Sequence, residues 1–151
     1  MKLNSYTVYA LAALLLSTAR LVCADDNTIV PAPLMEAAAA YKARGPAVFL
    51  PTLVKGSRLQ YTDSSSLAKA GEMLKAIETI YGEYIGIEMV DSVPISSSTR
   101  IVYFVLNYER GPLYGVADLY RTKYGEIVTN SNVNTELSTI IPPQVIAKLL
   151  Q

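Results

Sequence analysis

Asp118 and Tyr103, with Tyr114 or Tyr120 beside them, form the pairing in this sequence best suited to acid–base chemistry. A carboxyl group in an apolar cavity has a raised pKa and can accept a proton near neutral pH. A tyrosine hydroxyl nearby can stabilise a developing oxyanion. The plainer role for the same two side chains is a structural hydrogen bond on a half-exposed sheet, since buried polar groups ordinarily need such partners. We favour the structural role and keep Asp118 and Tyr103 as the catalytic alternative.

Other chemistries find less support. The chain has no His and a single Cys, Cys23, which removes the usual general base, the usual zinc ligands and every His-dependent triad. Ser66-Leu67-Ala68-Lys69 matches a Ser-x-x-Lys motif, but the Ser-Asp-Asn and Lys-Thr-Gly elements that accompany it in penicillin-binding enzymes are missing. These four residues fit the first turn of a helix instead. There is no Gly-x-Gly-x-x-Gly or Walker sequence and no calcium-loop spacing of carboxylates, so neither a metal nor a cofactor is expected. Lys+Arg and Asp+Glu both number 13, with no basic stripe, which argues against nucleic acid as a partner.

The elements that position Asp118 and Tyr103 follow from the hydrophobic period. Pro33 opens a helix over Leu34–Ala43, rich in alanine, which Gly45-Pro46 stops. Ala47–Val54 forms a shorter second helix, limited by Pro51. In the third, Asp63 and Ser64-Ser65-Ser66 supply cap oxygens. Leu67, Ala70, Leu74, Ile77 and Tyr81 make the apolar stripe, and Gly82 ends it.

From Tyr84 the period changes to two. Strands are predicted at Tyr84–Val90, Arg100–Tyr108, Leu113–Arg121 and Ile127–Val133, with short turn-rich connections that make neighbours antiparallel. Pro142-Pro143 opens a last short helix ending near Leu149. A two-residue turn at Arg110-Gly111 sets Tyr108 opposite Leu113 and Tyr103 opposite Asp118. One face then collects Val102, Phe104, Leu106, Leu113, Gly115, Ala117 and Leu119, and should carry the helices. The other collects Ile101, Tyr103, Val105, Asn107, Tyr114, Val116, Asp118 and Tyr120. From this mixed face we take Tyr103, Asn107, Tyr114, Asp118 and Tyr120 as the candidate ligand-binding residues. Asn130, Asn132 and Asn134 alternate along the next strand as further amide donors, or as a solvated row.

Residues 1–24 read as a signal peptide. Lys2 supplies the positive end, Val8–Leu16 the apolar core, and Val22-Cys23-Ala24 the small residues before a cut after Ala24. The apolar run is too short to span a bilayer. Cleavage after Ala19 and lipidation at Cys23 are rival outcomes, though Arg20-Leu21-Val22 makes a poor lipobox. Residues 25–32 then form a flexible lead and residues 33–151 a single domain. Cleavage after Ala24 also removes Lys2, Arg20 and Cys23, leaving a slightly acidic product without thiols, directed to the periplasm or secreted.

Helices followed by a strongly bent antiparallel sheet of about four strands resemble the NTF2-like (cystatin-type cone) superfamily of α+β domains. Arg100–Tyr114, Leu119-Tyr120-Arg121-Thr122 and Ser131-Asn132-Val133-Asn134-Thr135 are similar to stretches of small exported bacterial proteins in that group. The resemblance implies a cavity at the mouth of the sheet. It also implies a choice between a non-catalytic module that binds a small ligand or protein partner, including as a homodimer through the open sheet, and a cofactor-independent isomerase or hydro-lyase, for which the residues themselves, and no family motif, offer Asp118 and Tyr103. A structural subunit of an envelope complex is a third option. The non-catalytic binding module is the expectation taken forward.

Overall fold

In the computed structural model, which describes residues 29–61 and 64–151, helices give way to strands at the point where the sequence period changes. Helix α1 (Ala32–Arg44) carries proline in its first turn. It ends at Gly45, whose φ of 86° admits the reversal and whose N–H donates to the Tyr41 carbonyl at 2.7 Å. A 3₁₀ turn (Pro46–Val48) leads into α2 (Phe49–Leu53), and a second one (Arg58–Tyr61) precedes α3 (Ser64–Tyr81). On α3, Leu74 is buried while Ile77 and Tyr81 pack against the core. Ser66 and Lys69 are both exposed on its surface, as a structural first turn requires. The signal peptide, both cleavage sites, Cys23 and the expected Asp63 cap lie outside the described residues. No helix among the described residues is long and apolar enough to cross a membrane.

Four strands follow as an open antiparallel meander in the order β1-β2-β3-β4: β1 (Tyr84–Pro94), β2 (Thr99–Tyr108), β3 (Gly111–Thr122) and β4 (Gly125–Asn134). The protein is therefore α+β, with its N-terminal helices on one face of the sheet. Val102, Phe104, Leu106, Leu113, Ala117 and Leu119 are each at most 1% exposed and pack with Leu34, Phe49 and Leu53 of the helices. The helix-bearing face is the one that alternation picks out. Val30 packs against the same cluster and Pro31 is buried, so the end of the expected flexible lead is docked.

Two details of the sheet differ from expectation. The hairpin turn is Glu109-Arg110, so Tyr108 pairs with Gly111 and Tyr103 with Val116 rather than Asp118. The tip is pinned from outside the hairpin: the Arg110 N–H donates to the Tyr81 carbonyl at 2.8 Å, and the Glu109 N–H to the Glu83 carbonyl at 3.1 Å. Gly111 lies beside the Tyr81 ring, where a Cβ would make ordinary van der Waals contact. A slip of two residues leaves every side chain on its own face, which is why the face assignment survives the change of partner.

The second difference is in β1, which runs on through Asp91 to Pro94, a stretch expected to be a loop. A bulge between Met89 and Asp91 interrupts the alternation there. Before it, Ile87 and Met89 lie opposite Leu106 and Phe104. After it, Asp91 lies opposite Tyr103, on the other face.

That other face is not left open along its length. Helices α4 (Leu137–Ile140) and α5 (Pro143–Leu149) lie over it, and Ile140, Ile141 and Val145 form a second small core with Tyr103. Only α5 is signalled in the sequence. At the hairpin end of the helix-bearing face, tyrosines stack: the Tyr41 and Tyr84 rings are 4.2 Å apart, and Tyr108 stands edge-on to both.

Candidate functional site

The five candidate residues share one sheet face without converging on a site. Tyr103 is 7% exposed beneath α4 and α5. Burial, then the carboxylates of Asp118 and Asp91, push its hydroxyl pKa above the ordinary tyrosine value. Tyr114 packs at the edge of the same cluster. Asp118 is half-buried, opposite Ile101 on one side and Asn130 on the other, and its Oδ2 accepts a hydrogen bond from Asn130 Nδ2 at 3.2 Å.

Asn107 donates from Nδ2 to Glu88 Oε1 at 2.8 Å, at an exposed position near the hairpin. Tyr120 is 45% exposed at the opposite end, paired with Thr99. Eight residues of strand separate Thr99 from Asn107, roughly 27 Å at the usual rise. One small ligand cannot touch both ends. None of the five residues lines either of two well-formed clefts among the described residues.

The larger cleft lies elsewhere. It is a groove of 860 Å³ at the end of the sheet remote from the Glu109-Arg110 hairpin, walled by Ile29–Ala32, the strand ends at Ser92, Pro94, Arg100 and Arg121, the β3–β4 turn, and Lys148 of α5. Its polar wall is built by strand pairing. Arg100 lies opposite Leu119 and next but one to Val102, so its side chain emerges on the helix-bearing face, in the groove that the start of α1 also lines. Arg121 and Glu126 pair across β3 and β4 on the same face.

Glu126 takes the Arg100 guanidinium in both carboxylate oxygens: Nε donates to Oε1 at 2.9 Å and Nη2 to Oε2 at 2.6 Å. Arg100 Nη1 donates to Ser92 Oγ at 3.3 Å. Such a two-pronged fork fixes both side chains in one orientation. The turn beside it is fixed too, with Thr122 Oγ1 donating to the Gly125 carbonyl at 2.8 Å and accepting from the Tyr124 N–H at 3.1 Å.

A second ion pair closes the β1 side. Asp91 is 1% exposed, and Lys148 Nζ donates to both of its oxygens, at 2.9 and 3.1 Å. A buried carboxylate needs such a partner, because an uncompensated charge away from water is costly. The Lys148 side chain is itself 60% exposed, so it answers Asp91 at one end while facing the groove. The bulge after Met89 and the final helix meet at this contact.

Arg100, Glu126 and the Asp91–Lys148 pair are absent from the sequence-derived candidates. A trace of the first pair is legible. Arg100 sits at the core parity of Val102 and Phe104, where a charge demands a partner. Asp91 leaves no such trace, because the bulge breaks the alternation on which its placement depends. Among the described residues no group of three or more His, Cys, Asp or Glu is arranged to hold a metal ion. The groove can hold a solute by charge-assisted hydrogen bonds, against a low apolar wall of Ile29, Val30 and Pro31. No family model matches the chain, and neither a curated protein nor a solved structure does.

Proposed function

We propose that this chain is an exported, non-catalytic binding domain of NTF2-like type, and that it holds a small ligand in the groove between the strand ends, Ile29–Ala32 and Lys148. The observation that carries this proposal is a concavity of 860 Å³ whose polar wall is fixed before any ligand arrives by the Arg100–Glu126 fork. Ligand sites commonly enclose about 300–1,000 Å³ and use a few fixed polar groups for orientation. Fixed groups also spare the ligand the cost of ordering them. Export rests on residues 1–24, and the NTF2-like type on the element order with the Arg100–Thr135 segment.

Thermal denaturation with a small-solute fraction of cell extract tests the proposal. A ligand at about one hundred times its Kd stabilises by about 2.7 kcal/mol, which raises the Tm of a domain this size by several degrees. The same fraction should leave Pro94→Trp, which fills the groove from an exposed position, unshifted. An unshifted native protein, or equal shifts in both, overturns the proposal.

A further inference from the structure

We infer that the ligand of the groove is a small oxyanion, bearing carboxylate or phosphate, gripped between Arg121 on β3 and Lys148 on α5. This rests on the groove being the binding site, and it adds the chemical class. Three cationic side chains line the groove, Arg100, Arg121 and Lys148, against one carboxylate, Glu126. Two of these cations are already paired, Arg100 with Glu126 and Lys148 with Asp91, so the net positive charge left at the groove is that of Arg121. An unpaired cation in a cleft with low-dielectric walls raises the local concentration of anions.

The donors divide into used and unused. Arg100 spends Nε and Nη2 on Glu126 and Nη1 on Ser92, so it belongs to the wall. In doing so it neutralises the one lining carboxylate that would repel an anion. Asp91 is buried behind Lys148 at 1% exposure and offers the groove no carboxylate oxygen, although its charge offsets that of Lys148. Lys148 keeps donor capacity, because an ammonium carries three N–H groups, its carboxylate contacts point inward, and its side chain is largely exposed. Arg121 is exposed, beside the Arg100–Glu126 fork by register, and makes no ion pair among the described residues. Its guanidinium brings five donors in a planar fork suited to carboxylate or phosphate oxygens. One cation thus stands on the sheet and one on the final helix, both lining a space large enough for a small metabolite.

The test is an amide NMR titration of the processed protein in low-salt buffer with citrate, inorganic phosphate or glucose as separate probes. Saturable shifts at Arg121, Thr122, Gly125 and Glu126 are expected with citrate or phosphate and not with glucose. Tighter citrate assigns a carboxylate ligand and tighter phosphate a phosphorylated one. Arg121→Gln, at an exposed position, should weaken the better anion by about tenfold, the loss of one charge-assisted contact, and Arg121→Glu should abolish it. Anions that leave these amides unmoved, or that bind Arg121→Glu as well as the native chain, overturn the oxyanion assignment. If glucose alone shifts them, the groove remains a binding site and only the ligand class falls. If the cell-extract fraction also fails to raise the Tm, the groove itself falls.

Discussion

Tyr84 places a hydroxyl in the core with no hydrogen-bond partner among the described residues, whereas the Tyr41 and Tyr108 hydroxyls lie 3.3 Å apart and satisfy one another. The two situations differ by the desolvation of one polar group, a cost of about 1–3 kcal/mol when unpaid. Tyr84→Phe keeps the ring stacked on Tyr41 and removes the orphan, so the variant should be as stable as the native protein or more stable by about 1 kcal/mol. Tyr108→Phe instead leaves Tyr41 without its partner and should cost about 1 kcal/mol. Urea denaturation of the two variants checks the contrast, and a larger loss for Tyr84→Phe contradicts it. Neither hydroxyl's fate is legible in the sequence. Nothing in the spacing of Tyr41, Tyr84 and Tyr108 tells which pair meets, because that depends on where α1 crosses the strands.

At the scale of elements, the β2–β3 hairpin contains one pair of closely complementary size. Phe104 lies opposite Gly115, and a Cβ on Gly115 would collide with the Phe104 ring. Gly115→Ala should therefore destabilise the protein by about 1–3 kcal/mol, as overpacking does, and Phe104→Leu in the same chain should recover part of that loss. Thermal denaturation of the single and double variants measures it, and an unaffected Gly115→Ala would show that the ring moves freely.

The small-against-large match on this face is legible from alternation alone, although it assigns Gly115 to Leu106 and Ala117 to Phe104. The partners differ because the turn uses Glu109-Arg110, and that choice is made by Tyr81 and Glu83 in another part of the chain. Local turn chemistry could not reveal it. The same limit explains the groove: Arg100 and Glu126 meet across three strands, and Asp91 faces Lys148 only because a bulge turns it over. Asp118 and Tyr103, which the sequence sets side by side, sit diagonally instead, one held by Asn130 and the other roofed by α4 and α5.

At the scale of the whole molecule, four buried tyrosines among the described residues have raised hydroxyl pKa values. Burial is the leading cause for Tyr41, Tyr84, Tyr103 and Tyr108, with the Tyr41 contact partly opposing it at Tyr108. Ionisation of these groups is easier in the unfolded chain than in the folded one. Below about pH 10, the ordinary tyrosine value, both states hold the protons and these groups give stability no slope. Above it the unfolded chain releases protons first, so stability falls as pH rises toward the folded-state values. The Tm should hold steady with respect to these groups up to about pH 10 and then drop steeply, with tyrosinate absorbance appearing together with unfolding. Absorbance that rises well before unfolding would mean that the four rings titrate in the folded protein.

The meander connectivity has a consequence of its own. Each strand hydrogen-bonds only to its neighbours in the sequence, and two of the three connections, Glu109-Arg110 and Lys123-Tyr124, are two residues long. Closing such short loops forfeits little chain entropy, whereas α1 must travel back across the molecule to reach β4. The ladder can thus zip up hairpin by hairpin, and the helical cover, together with the groove mouth at Ile29–Ala32, is the part whose arrival completes the protein.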